Sequence, residues 1–323
     1  VECKQFLGRE VDFITPNGFE NSITPPEEQF AEYEARARKK LIEVASCMSG
    51  EQFDEEALLV CISGRYEYTN KGIDIFIDAL SRLNSGGYKG KQVLAFIMVP
   101  SGHNGPDKEL VAKLNGADSS YTTNVSHLLS DDYDAVTNRL RALNLNNALG
   151  DKVNVFFIPT YLNGNDGIFD MSYYDLLVGM DLTIFPSYYE PWGYTPLESL
   201  AFKVPTTTTS LAGFGLWVQE HYPGDKSRKS IDIITRNDSN YDSVVNDVVN
   251  RIREIAALSP EEKQSYKENA KEVSEIALWE NNIQYYKKAF SAAIAKVVAA
   301  KGEFLGTVDD KPQSYNKLAA NEP

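Results

Sequence analysis

The chain has 323 residues, 42% of them hydrophobic and 11% aromatic, which suits one large globular domain or two smaller ones and excludes a disordered chain. Its 46 acidic residues outweigh 32 basic ones, and the net charge of −14 disfavours nucleic acid, so any phosphate ligand must be held by a few local cations. Cys3, Cys47 and Cys61 are odd in number and lack Cys-x2-Cys spacing, no apolar run approaches about 18 residues and no signal-like segment opens the chain; the expectation is a soluble, cytoplasmic protein with no disulfide, zinc or membrane partner.

In chain order, residues 11–18 read as a short strand ending in an Asn17-Gly18 turn, and residues 27–44 as a charged helix, acidic then basic. Residues 57–62 form an unbroken apolar run, the mark of a strand buried on both faces. After a polar loop from Ser63 to Gly72, Ile73, Phe76, Ile77, Leu80 and Leu83 recur at helical spacing on a crossover helix. Gly86, Gly87 and Gly90 then turn the chain into a strand over 93–99. Residues 101–128, rich in Gly, Asn and Ser, read as an insertion with one short helix.

A helix over 133–143 leads to a strand over 153–158. The units continue as helix 173–178, strand 182–185, helix 196–202, strand 204–208, a helix through Trp217 and strand 230–234. Such alternation, six times over, predicts an α/β fold with a doubly wound, Rossmann-like parallel sheet. Beyond it the pattern is wholly helical. Ser259-Pro260-Glu261-Glu262 is a capping box with proline at the first helical position. Ile276, Trp279, Ile283, Tyr286, Phe290, Ile294 and Val297 make an apolar stripe suited to a helix of about five turns or more. Residues 301–323 read as a flexible tail.

The chemistry concentrates in two loops at the carboxyl ends of strands, where parallel sheets present ligands. In Ser63-Gly64-Arg65-Tyr66-Glu67-Tyr68-Thr69-Asn70-Lys71-Gly72, the planar fork of Arg65 and the point charge of Lys71 suit a diphosphate. In Phe185-Pro186-Ser187-Tyr188-Tyr189-Glu190-Pro191-Trp192-Gly193-Tyr194-Thr195-Pro196-Leu197-Glu198, Thr195 reads as a helix N-cap with Pro196 first in the helix. Glu190 then lies on the loop and Glu198 in the first turn. The amides of Gly193, Tyr194 and Thr195 face a phosphate at the helix start, while Pro191 and Trp192 stiffen the turn. Gly213-Phe214-Gly215 follows a strand and is either a second donor contact at Gly213 or a structural turn. His103, His127 and His221 stand far apart, as loop or surface residues and not metal ligands. Neither Gly-x-Ser-x-Gly nor, after the first strand, Gly-x-Gly-x-x-Gly is present, which sets aside serine-triad and dinucleotide chemistry.

The Glu190-x7-Glu198 spacing resembles the signature of retaining glycosyltransferases with the two-domain GT-B architecture. The wording from Tyr188 to Pro196 is closer still, and resembles glycogen synthases of the animal and fungal type. The resemblance spans roughly residues 10–290 and only the C-terminal half of such an enzyme. It implies that residues 1–20 are the end of a missing N-terminal domain and a linker, and that residues 21–300 are the nucleotide-sugar donor domain with C-terminal helices, the last of which crosses back over the other domain and leaves part of its stripe exposed here. It further implies that Arg65 and Lys71 hold the donor diphosphate without a metal or other cofactor, that Tyr173 stacks on uracil, with Tyr174 one residue away as its competitor, that Glu198 accepts the ribose hydroxyls, and that Glu190 serves the sugar.

The implied reaction moves glucose from UDP-glucose to the 4-hydroxyl of an α-1,4-glucan with retention, the fragment alone being inactive. A noncatalytic nucleotide- or glucan-binding module, or a retaining transferase with another donor, ADP-glucose included, or another acceptor, shares these motifs. The oligomeric state stays open, a homo-oligomer included. One departure stands out: residues 260–273, where the resembled family carries arginines that bind glucose 6-phosphate, contain none, so sugar-phosphate activation is not expected.

Overall fold

Six parallel strands, each flanked by helices, carry the molecule, a computed structural model that describes residues 2–301. Of the tail expected over 301–323, Lys301 is instead the last residue of a helix that begins at Trp279, and residues 302–323 lie outside the described residues. The elements in chain order are α1 (Glu2–Leu7), α2 (Phe30–Ser49), β1 (Leu58–Ser63), α3 (Ile73–Ser85), β2 (Val93–Met98), β3 (His103–Pro106), α4 (Lys108–Leu114), β4 (His127–Leu129), α5 (Ala135–Ala142), β5 (Val153–Phe157), α6 (Tyr173–Leu177), β6 (Leu182–Ile184), α7 (Tyr194–Ala201), β7 (Thr206–Thr209), α8 (Gly213–His221), α9 (Asp225–Ser230), β8 (Ile231–Ile234), α10 (Tyr241–Ala257), α11 (Pro260–Ser274) and α12 (Trp279–Lys301). Among the described residues no helix is long and apolar enough to cross a membrane.

The main sheet runs β5-β2-β1-β6-β7-β8, every pairing parallel. Counting only its own strands, that is the 3-2-1-4-5-6 order of the Rossmann fold, and the direction of winding reverses between β1 and β6. Alternate residues of each strand feed two cores. Leu59, Cys61, Leu94, Phe96 and Phe156 pack with α2, α6, α7 and α8, whereas Val60, Ile62, Ala95, Ile97 and Val155 pack with α3, α5 and α10. Burial on both faces is what removed polar alternation from β1 and β2 and made them legible as apolar runs.

Several expectations are corrected. Residues 11–18 form no strand; only Phe19 bridges Leu278, and Gly18 packs so closely on Trp279 that a Cβ would overlap its ring. The insertion over 101–128 holds the expected helix, α4, and also an antiparallel pair, β3 with β4, too short and irregular to leave an alternating pattern. The strand expected over 204–208 starts two residues later, because Lys203 turns with a φ of 60° and the Val204 N–H returns to Ser199 O in the preceding helix. His127 is not a surface residue but 1% exposed, its Nδ1 on Ser126 Oγ at 2.7 Å and its Nε2 on Asp166 O at 3.0 Å.

By contacts the chain divides into two compact units, residues 17–281 and, among the described residues, 2–16 with 282–301. In the second unit Lys296 reaches Asp12 at 2.7 Å and Tyr286 packs on Phe290. Ile283, Phe290, Ile294 and Val297 on α12 are exposed.

Candidate active site

The strand ends on either side of the winding reversal bring the two chemistry-bearing loops together. From β1 the chain passes through Gly64, at a φ of 128°, into the loop of Arg65 and Lys71; from β6 it passes through Phe185 and Pro186 to Glu190. The Lys71 ammonium is ion-paired with Glu190 Oε2, the two side chains only 15% and 21% exposed. Arg65 faces solvent, with its side chain 79% exposed and paired to Glu67 at 3.0 Å. Glu67 in turn accepts from Asn70 Nδ2 at 2.7 Å, and Asn70 O accepts the Tyr188 N–H at 2.8 Å. The two loops are therefore hydrogen-bonded to each other as well as ion-paired.

Glycine makes this approach feasible. Gly72 ends the first loop at a φ of 72° and lies against the Pro186 carbonyl, where a Cβ would collide with it. A third loop closes the far side: Glu190 N–H donates to Leu211 O and Gly213 N–H to Glu190 O, both at 3.1 Å. A Cβ on Gly213 would strike the Pro191 carbonyl. Of the two readings open for Gly213, this geometry supports the structural turn, since its N–H is already committed to Glu190.

Helix α7 corrects the sequence reading of its start. Its N-cap is Gly193, at a φ of 105°, and the first helical residue is Tyr194, not Pro196. The left-handed turn at Gly193 starts the helix two residues early. Glu198 consequently falls in the second turn. There it is half-buried and accepts from Tyr174 Oη at 2.9 Å, and burial pushes its carboxyl above the usual range. Thr195 stays at the helix start, where amides lack intrahelical partners.

Beside these loops lies a cavity of about 360 Å³ lined by Ser63, Arg65, Met98, Tyr161, Tyr173 and Thr195, among others. Tyr173 and its neighbour Tyr174, with ring centroids 5.4 Å apart, have different further partners. Tyr173 Oη bonds Ser63 Oγ at 2.8 Å and the residue lines the cavity, whereas Tyr174 stacks on Phe202 with centroids 5.2 Å apart. Trp192 packs edge-on against Phe214 and beside Trp217, away from the cavity lining. Among the described residues no group of His, Cys, Asp and Glu could hold a metal ion.

Three parts of the site went unseen in the sequence. Residues 160–162 after β5 supply one cavity wall. Tyr66 supplies another, its Oη donating to Asp134 at 2.6 Å and accepting the Val136 N–H. Arg236, just past the end of β8, is 7% exposed and donates to the Pro186 carbonyl. A charged residue two positions beyond an apolar strand, on the sheet edge that presents ligands, was the available signal for Arg236.

The family model for glycogen synthase matches residues 1–116 and 117–320. The chain belongs to the glycogen synthase family. It is 27% identical over 364 residues to glycogen [starch] synthase isoform 2 of Saccharomyces cerevisiae, covering 91% of this chain and 52% of the yeast protein. To the human liver glycogen [starch] synthase it is 26% identical over 358 residues, covering 93% and 51% respectively. Glycogen synthase relatives are thus matched over about half their length. Among solved structures, sucrose-phosphate synthase from Thermosynechococcus elongatus superposes with a TM-score of 0.50 at 17% identity, over 90% of this chain and 56% of that one, which shows a shared fold.

Proposed function

We propose that this chain is the donor-binding part of a retaining glucosyltransferase that moves glucose from UDP-glucose to the non-reducing end of an α-1,4-glucan in the cytoplasm. The observation that carries the reading is the meeting of Lys71 and Glu190 at the winding reversal of the sheet, beside the start of α7. An arriving diphosphate competes for Lys71, draws Arg65 in from solvent and takes up amides at the helix start. Those groups stabilise charge developing on the leaving group. Glu190, released from its ion pair, positions the sugar and stabilises positive charge at the anomeric carbon. The acceptor attacks from the face that the diphosphate leaves, and the departing phosphate oxygen takes the hydroxyl proton, so the configuration is retained without a metal.

Tyr173 offers its ring to the base from the cavity wall, and Glu198 lies within α7 to receive the ribose. Sugar-phosphate activation has little to work with, because the lysines of α11 are engaged: Lys263 with Asp181, Lys267 with Glu34, and Lys271 with Asn21. The acceptor site and cleft closure are assigned to a further domain, in keeping with the half-length match to the relatives. The test is transfer by the protein carrying both halves. Glu190→Ala there is expected to cut turnover by at least about 100-fold, the scale for losing a preorganised electrostatic group. Turnover near wild type would refute the role of Glu190.

A further inference from the structure

We propose that Arg236 is a positioning residue that holds the Lys71 loop and the Glu190 loop in register. Its guanidinium donates through Nη1 to the Pro186 carbonyl and lies 5.2 Å from the Tyr188 ring centroid. Its backbone N–H donates to Ser210 Oγ at 3.0 Å, which ties the end of β8 to the loop after β7. Asp74, in the first turn of α3, is the carboxylate that acts on it electrostatically. Burying a guanidinium is costly unless its surroundings compensate, so what it touches is informative.

Its two guanidinium contacts, Pro186 and Tyr188, both fall on the junction. Pro186 opens the loop that ends in Glu190, and Tyr188 lies midway along it. Gly72, the residue after Lys71, packs against that same Pro186 carbonyl, and Tyr188 N–H donates to Asn70, the residue before Lys71. The Pro186 carbonyl is therefore a node where the phosphate loop, the carboxylate loop and the last strand meet, and Arg236 supplies its donor. Without that donor the carbonyl is left buried beside an apolar gap, and the Lys71 to Glu190 spacing is no longer enforced. An error of about 1 Å in such spacing is enough to cost on the order of 100-fold in rate.

What the pair does in catalysis rests on the function proposed above, but the positioning itself is tested without substrate. In the 15N-labelled chain, the Lys71 Nζ resonance is assigned by its loss in Lys71→Arg, and its position when unpaired is set by Glu190→Gln. Arg236→Met is expected to move the Lys71 signal to the Glu190→Gln position while the chain still melts cooperatively. Arg236→Lys keeps a donor but cannot also lie flat on Tyr188, so its signal is expected midway. A Lys71 signal unmoved in Arg236→Met overturns the proposal. Should that variant not fold, Arg236→Lys decides alone, a wild-type signal overturning it. In the transfer-competent protein, Arg236→Lys is expected to lower kcat at least about tenfold with donor KM within about threefold, a split that general destabilisation does not produce. An unchanged kcat overturns the proposal. A wild-type chain that binds no UDP would sink the donor-site reading while leaving the resonance result standing.

Discussion

Lys71 and Glu190 neutralise each other as an ion pair, both side chains largely withdrawn from solvent. The same coupling means that removing either partner leaves the other as a half-buried charge. His127 shows the opposite solution, a titratable group kept neutral. Burial, with His103 adding to it, pushes the imidazole below its ordinary value, while Asp166 opposes the shift. The rings of His103 on β3 and His127 on β4 lie 5.0 Å apart. Because the folded value is below the unfolded one, stability is complete at neutral pH and falls as the pH drops below about 6.5, where the unfolded chain takes up a proton that the folded chain refuses. The urea midpoint of the wild type is therefore expected to fall between pH 7.5 and pH 5.5 by more than that of His127→Gln. Equal falls would show that His127 is not the group responsible.

At the scale of elements, loops and their fastenings decide the site, and these were the hardest features to read. The strands β1 and β2 and the stripe on α3 were legible because burial on both faces, or on one helical face, writes a regular apolar pattern. The capping box at Ser259 was legible because its side chains are local, and it forms as read. The start of α7 was not, since a glycine turn at Gly193 overrides the Thr195-Pro196 signal. Nor was the pairing of Lys71 with Glu190, whose partners are far apart in sequence. A second long-range fastening is Asp181, just before β6. Burial alone would raise its carboxyl, but Arg38, Lys263 and the Leu59 N–H together hold it below the usual value. It thereby joins α2, β1 and α11. Asp181→Ala takes from Arg38 and Lys263 the carboxylate they share, while Arg38 keeps the carbonyls of Glu55, Ala57 and Gly179, and is expected to cost about 3 kcal/mol of unfolding free energy, read from urea titrations. A loss under about 1 kcal/mol would place this cluster among surface ion pairs of little consequence.

For the whole molecule, the α/β class, the winding of the sheet and the family were all within reach of the sequence, because the wording from Tyr188 to Pro196 and the alternation of strands and helices are properties of short segments. Arg236, Tyr66 and the 160–162 wall were not, because their significance comes only from where the sheet order places them. We propose that the donor diphosphate binds where the loops of Lys71 and Glu190 meet, in competition with Glu190 for Lys71. Calorimetric titration of this chain with UDP tests it most directly. Wild type is expected to bind saturably, and Lys71→Ala at least about 30-fold more weakly, a loss of about 2 kcal/mol. Glu190→Gln is expected to bind about fivefold more tightly, because the competing carboxylate is gone, a gain of roughly 1 kcal/mol. Equal affinity in all three proteins, or weaker binding by Glu190→Gln, would contradict the claim.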